Sequence, residues 1–96
     1  MHAPEVYAMF RLGQIVATPG ALDALEHNLQ TPFEFLQRHL IHDWGYLSEE
    51  DKRENDESVL HGFRILSAYR LKDSTRIWII TEADRSSTTI LLPSEY

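Results

Sequence analysis

Two imidazoles and a carboxylate stand close together at His39, His42 and Asp43. On a helix the i, i+3 spacing sets both rings on one side with Asp43 just beyond, and the three could then meet one transition metal. A resident metal also needs a third or fourth ligand and a fixed outer shell, and the sequence nominates neither. No metal and no cofactor is therefore expected, and the alternative is a pair of half-buried helix-end histidines, favourable there when protonated. The densest polar stretch is Thr81-Glu82-Ala83-Asp84-Arg85-Ser86-Ser87-Thr88-Thr89. Asp84 and Arg85 beside so many hydroxyls could hold a phosphate or carboxylate, because arginine presents a forked donor set. The competing reading is turn chemistry, with Asp84 and the serines bonding their own backbone and Arg85 paired to Glu82 or Asp84. If the chain cleaved RNA, it would need a base, an acid and a cation at the scissile phosphate, and the available groups are Glu82 or His39, Tyr96 and Arg85.

Binding without chemistry has its own candidates. Trp44, in Asp43-Trp44-Gly45, is either an exposed aromatic anchor or a core plug that seats a loop, with Gly45 supplying a positive φ; Trp78 poses the same choice within a strand. From Glu49 to Glu57 six acids face two bases, a net of −4, whereas from Phe63 to Arg85 five bases face three acids, a net of +2. Glu50 and Asp51 thus belong to an acidic helix that is either a solvated face or a mimic of phosphate for a basic groove. Lys52 and Arg53 interrupt the run and weaken the mimicry. Gly-rich phosphate loops, a Gly-x-Ser-x-Gly elbow and paired cysteines are absent.

The elements that must position these groups follow from periodicity. A β-branched stretch near 10–17 reads as a strand that stops at Thr18-Pro19-Gly20. Thr18 can cap, and Pro19 can open, a helix over 19–27 that Asn28 ends. Thr31-Pro32-Phe33-Glu34 has capping-box spacing and starts a helix over 32–42, with Phe33, Leu36 and Leu40 as its core stripe and Phe35, His39 and His42 as a more polar one. A tight loop at 43–47 precedes the acidic helix, capped by Ser48 and stopped at His61-Gly62. The period then changes to 2 over 63–71, 76–81 and 87–92, with turn residues between. The fold class is α+β: a single domain over 1–96 in the order β-α-α-α-β-β-β, helices packed on a C-terminal antiparallel three-stranded meander plus an N-terminal strand. Residues 1–9 are a poorly ordered or edge-strand N-terminus in this reading.

Composition narrows the function class. With 43% hydrophobic and 25% charged residues the chain is an ordinary globular protein, and no apolar run approaches the roughly 20 residues of a membrane helix. The start lacks the charged-then-apolar order of a signal peptide, and zero cysteines suit a reducing compartment, so the expected location is cytoplasmic. A net charge of −6 opposes direct nucleic-acid binding and favours a protein partner.

Across Arg38-His39, Asp43-Trp44-Gly45, Glu50-Asp51, Asn55, the run from Gly62 to Tyr69, the run from Ile77 to Ser86 and the closing Thr88 to Tyr96, the chain resembles a bacterial group. These are short proteins of plasmids and integrating elements, labelled plasmid-related or hypothetical, and the resemblance runs from about Leu12 to Tyr96. His42 stands where the pattern of the group has glycine, which argues against a metal role for it. Some members carry the label of a restriction-system methyltransferase subunit, but this chain has neither the Gly-rich cofactor loop nor an Asn-Pro-Pro-Tyr-like tetrapeptide. The resemblance and the residues together suggest a non-enzymatic accessory protein of a mobile element that binds another macromolecule, expected to be protein, with an acidic helix that could serve as an inhibitor. The alternative is a small ribonuclease of barnase-like or ribosome-dependent toxin type, by analogy of topology.

Overall fold

The computed structural model describes residues 9–96, so most of the expected N-terminal segment 1–9 lies outside the described residues. The α+β order holds: β1 Gln14–Ala17, α1 Pro19–His27, α2 Pro32–Leu40, α3 Glu49–His61, β2 Ile65–Arg70, β3 Arg76–Thr81, β4 Ser87–Leu91 and a final 3₁₀ turn, Pro93–Glu95. The last three strands form the antiparallel meander, and β1 joins it in parallel beside β4, giving the sheet order β1-β4-β3-β2. Among the described residues no helix is long and apolar enough to cross a membrane.

Strand alternation divides the sheet into two faces. Ile65, Ser67 and Tyr69 of β2, Ile77, Ile79 and Thr81 of β3, and Thr88 and Ile90 of β4 are buried on the face that carries the helices. Ala21 and Leu25 of α1 and Phe35 and Leu36 of α2 pack there against Tyr69, Ile77, Ile79 and Ile90. A second cluster joins Phe10, Trp44 and Ile65. Leu66, Ala68, Arg70, Arg76, Trp78, Ile80 and Leu91 lie on the opposite face.

Several expectations need correction. The first strand covers only 14–17, because Gly13 turns with φ +64° and a Cβ there would come within 2.4 Å of the Arg85 and Ser86 carbonyl oxygens. That close passage of chain over turn sends Phe10 into the core instead of along an edge. In α2 the buried side chains are Phe35, Leu36 and His39, while Phe33 is 72% and Leu40 36% exposed, so the expected stripe is rotated. The rotation lets Phe35 pack on Tyr69, ring centroids 5.4 Å apart, and gives the His39 ring two hydroxyl partners. Thr31 makes no side-chain cap, and Glu34 accepts instead from Gln30 Nε2 at 2.7 Å. Thr18 and Ser48 do cap their helices, and Gly62 ends α3 in the left-handed region as expected. The second helix stops at Leu40, and His42 beyond it has φ +64°, a conformation glycine adopts without the Cβ penalty.

Unlike the other two helices, α3 is not held by an apolar stripe; Asn55 is its one buried residue. Its Nδ2 donates to the Leu66 carbonyl at 2.7 Å and its Oδ1 accepts from the Leu66 amide at 3.2 Å, so one side chain pairs with the β2 edge as a strand would. One residue pair along that edge, the loop at Trp44–Tyr46 takes over the role. The Tyr46 amide donates to the Ala68 carbonyl at 2.7 Å and the Ala68 amide to the Trp44 carbonyl at 3.1 Å. Only glycine fits between, since a Cβ on Gly45, at φ +80°, would lie 1.9 Å from the Ala68 oxygen.

Candidate functional site

The constellation that looks most like a catalytic dyad is sealed inside the core. His39 Nδ1 meets Ser67 Oγ, His39 Nε2 meets Thr81 Oγ1 at 2.9 Å, and Thr81 Oγ1 meets Thr88 Oγ1 at 2.8 Å. Thr88 Oγ1 in turn donates to the Leu12 carbonyl at 2.7 Å. A carbonyl only accepts, so the direction of the chain is fixed from that end as far as His39 Nε2–H, and a neutral ring then leaves Nδ1 to accept from Ser67. Thr88 donates to Leu12, Thr81 to Thr88, His39 through Nε2–H to Thr81, and Ser67 to the bare Nδ1. All four side chains are fully buried. Burial pushes the His39 pKa down to about 3, with the nearby His42 and Arg85 acting in the same direction. The ring is thus a neutral cross-link between α2 and the sheet, and no substrate can reach its serine.

The other candidates separate. Asp43 accepts a two-pronged contact from Arg38, Nε to Oδ2 at 2.7 Å and Nη2 to Oδ1 at 3.3 Å, which holds its carboxyl below the usual range. His42 stacks on Trp44 with centroids 4.9 Å apart, its Nδ1 lying 3.7 Å from Asp56 Oδ1. Among the described residues no three His, Cys, Asp or Glu side chains converge on a common point for a metal. Trp44 is 3% exposed and donates through Nε1 to Asp56 at 3.0 Å, so it plugs the loop into the core and ties down α3. Arg85, at φ +60°, donates to three main-chain carbonyls, Phe63 at 2.7 Å, Glu82 at 3.0 Å and Ser58 at 2.8 Å. Its guanidinium fastens the end of α3 to the β3–β4 turn. Asp84 accepts from the Ser86 amide at 2.9 Å, as turn chemistry requires.

Of the ribonuclease set, Glu82 and Tyr96 come together, bridged by Arg64: Nη2 lies 3.2 Å from Glu82 Oε1 and Nη1 donates to the Tyr96 hydroxyl at 3.0 Å. His39 lies in the core on the other side of the sheet and Arg85 is committed to its carbonyls.

A furrow the sequence reading missed lies on the sheet face away from α1 and α2. It measures about 380 Å³ and is lined by Tyr46, Leu47, Asp51, Leu66, Ala68, Arg70, Arg76 and Trp78, with the edge of Tyr69. Its floor is Leu66, Ala68 and Trp78, half-buried and apolar. At one end Arg70 and Arg76 are direct cross-strand partners, both exposed. Arg70 lies over the Tyr46 ring, 4.7 Å from its centroid, and neither arginine has an ion-pair partner among the described residues. Further along, a second recess shares Leu47, Asp51 and Leu66 with the first and adds Glu54, Asn55, Ser58 and Arg64. The signal that could have found the arginines is their equal distance from the turn: five residues separate 70 from 76, and a hairpin closing there pairs them. Trp78 lies two residues further along on the same face. Comparison with known proteins finds no matching family model, no matching curated protein and no matching solved structure.

Proposed function

We propose that this protein works without catalysis, as a module that binds another protein through the open face of its sheet. One observation carries the reading: Arg70 and Arg76 face each other across β2 and β3 without a carboxylate partner among the described residues, beside a half-buried tryptophan. Like charges directly opposite on a sheet are destabilising, and aromatics and arginine are the side chains that dominate protein interfaces. A partner that neutralises the pair offsets that cost. The acidic helix contributes Asp51 to the wall of the furrow. The setting, a cytoplasmic accessory role on a bacterial mobile element, rests on the sequence resemblance and the cysteine-free composition.

Site-directed crosslinking in host cells tests the reading. Benzoylphenylalanine at position 46 keeps a ring under Arg70, and it is expected to yield a discrete protein adduct. The same group at position 60, where Leu60 is 66% exposed on α3, is expected to yield none. Equal labelling from both positions, or none from 46, removes the furrow as the binding face. The Glu82–Arg64–Tyr96 cluster supplies the one observation on the side of a ribonuclease, and total RNA incubated with the protein, with and without ribosomes, is expected to stay intact. Cleavage that vanishes in Glu82→Gln would replace the binding reading with the enzymatic one.

A further inference from the structure

Resting on that binding reading, we infer the chemical class of the occupant: an extended peptide segment of the partner, acidic at one end, apolar in the middle and basic at the other end. Shape gives the first part. The two recesses share three lining residues and run beside β2 from Arg70 to Arg64. At roughly 3.3 Å per residue, the six residues of β2 span about 20 Å, the length of an extended peptide of similar size. The outer edge of β2 is already occupied at Leu66 by Asn55 and at Ala68 by the 44–46 loop. The peptide must therefore lie across side chains and cannot add as a further strand. Recognition then comes from side chains in sequence along the furrow.

Charge gives the polarity. Arg70 and Arg76 stand at one end, and their forked donors match a carboxylate in two-pronged geometry. Leu66, Ala68 and Trp78 follow as an apolar floor. Asp51 and Glu54 line the far part, where Arg64 is already engaged by Glu82. A basic side chain is favoured there. The same layout disfavours single-stranded nucleic acid: a stacking base could use Trp78 and Tyr46, but a phosphate chain continuing past the arginines would run alongside Asp51 and Glu54, on a protein of net charge −6. A peptide with opposite charges at its ends meets no such repulsion.

A random heptapeptide display library panned on the intact protein tests the class. Enriched sequences are expected to carry Asp or Glu near one end, Lys or Arg near the other and apolar residues between. A synthetic enriched peptide should bind Arg76→Glu at least tenfold more weakly by fluorescence anisotropy. Arg76 is exposed and the change removes a like-charge pair, so this variant should melt no lower than wild type, and Arg70→Gln provides a second, milder loss at the same end. Enrichment without an acidic residue, unchanged affinity in Arg76→Glu and Arg70→Gln, no enrichment at all, or preferential binding of an oligothymidylate probe would each overturn the inference. The outcomes separate it from the reading beneath it. Crosslinking from position 46 without an acid–base peptide signature leaves the binding face standing and removes only the ligand class, whereas loss of the position-46 adduct removes both.

Discussion

At the residue scale, His39 shows how a group that invites a catalytic reading can be structural. A fully buried imidazole is tolerated because one nitrogen accepts from Ser67 and the other donates to Thr81, leaving neither ring atom unpaired. The hydroxyl chain fixes Nε2 as a donor, burial keeps the ring neutral with Nδ1 bare, and a proton on Nδ1 would need Ser67 to reverse. The pH dependence follows with a definite sign. The folded pKa is about 3 against an ordinary 6.5, so between those values the unfolded chain binds one more proton than the folded one. The stability is fully present above pH 6.5 and falls as pH drops toward 3. From pH 6.5 to 5 the loss is about 2 kcal/mol, at 1.36 kcal/mol per unit. Urea unfolding at pH 7.5 and 5.0 should show that decrease in wild type, and His39→Gln, which cannot titrate, should show a decrease smaller by about the same amount. Equal pH dependence in the two proteins would mean that the ring is not sealed. The sequence showed the histidine pair but not this role, because a 3.6-residue period marks Phe35, His39 and His42 as one stripe without telling which stripe meets the sheet. Ser67 and Thr81, the residues that decide it, lie 28 and 42 positions away.

At the scale of elements, α3 is the exception to the rule that a helix is held by its apolar face. Favourable ends help it: Glu49, Glu50 and Asp51 occupy the first turn and His61 the last, in line with the helix dipole. Its attachment is by polar clamps, namely Asn55 on the Leu66 backbone, Asp56 on Trp44 and the Ser58 carbonyl on Arg85. Caps and charge pattern made the bounds of α3 legible, since Ser48 and Gly62 are local signals. The clamps are not local, and Asn55 looks in sequence like one more polar residue on a solvated face. Replacing it with alanine removes two hydrogen bonds and leaves the Leu66 amide and carbonyl short of partners, a cost of about 2 to 3 kcal/mol. Leu60→Ala, at a 66% exposed site, should stay within about 0.5 kcal/mol. Hydrogen exchange gives the sharper readout: in Asn55→Ala, protection should fall in α3 and at Leu66 while β3 and β4 lose only the global change. A uniform loss throughout the chain would show that α3 and the sheet open as one unit.

At the scale of the whole molecule, both faces of the sheet are needed, and the closing segment is what finishes the second one. Most of the helix-bearing face was legible from period, because Ile65 and Tyr69, Ile77 and Ile79, and Ile90 recur at even spacing along three successive strands and demand one covered side, whereas Ser67, Thr81 and Thr88 interrupt that pattern on the same face. The other face was not. Its character depends on the register that sets Arg70 against Arg76 and Ala68 against Trp78, and on the return of the chain over β3 after β4. That return is anchored at both ends. Tyr96 meets Trp78 edge-on at 5.6 Å and accepts from Arg64, while Glu95 Oε1 accepts from the Leu92 amide at 2.9 Å and from the Thr18 hydroxyl at the head of α1. On the same face, on β3 and β4, Ile80 and Leu91 point away from α1 and α2 and yet are only 5% exposed. Deleting Pro93–Tyr96 should therefore uncover those two side chains and untie the β1–α1 junction, at a cost of roughly 2 to 4 kcal/mol given about 1.5 to 3 kcal/mol for each large aliphatic fully buried. For a domain of this size that is a fall in melting temperature of about 8 to 32 °C, at roughly 4 to 8 °C per kcal/mol. Trp78 fluorescence should shift to the red in a Trp44→Phe background, and a solvatochromic apolar dye should bind. The furrow end at Arg70 and Arg76 lies away from the tail contacts, so the truncated chain, assayed below its melt, should keep the preference for an acidic residue at that end, whereas the apolar floor at Trp78 and the far part at Arg64 lose their Tyr96 contact. A truncated chain with the wild-type melt and unshifted Trp78 emission would show that Ile80 and Leu91 are covered by the sheet and its neighbours alone.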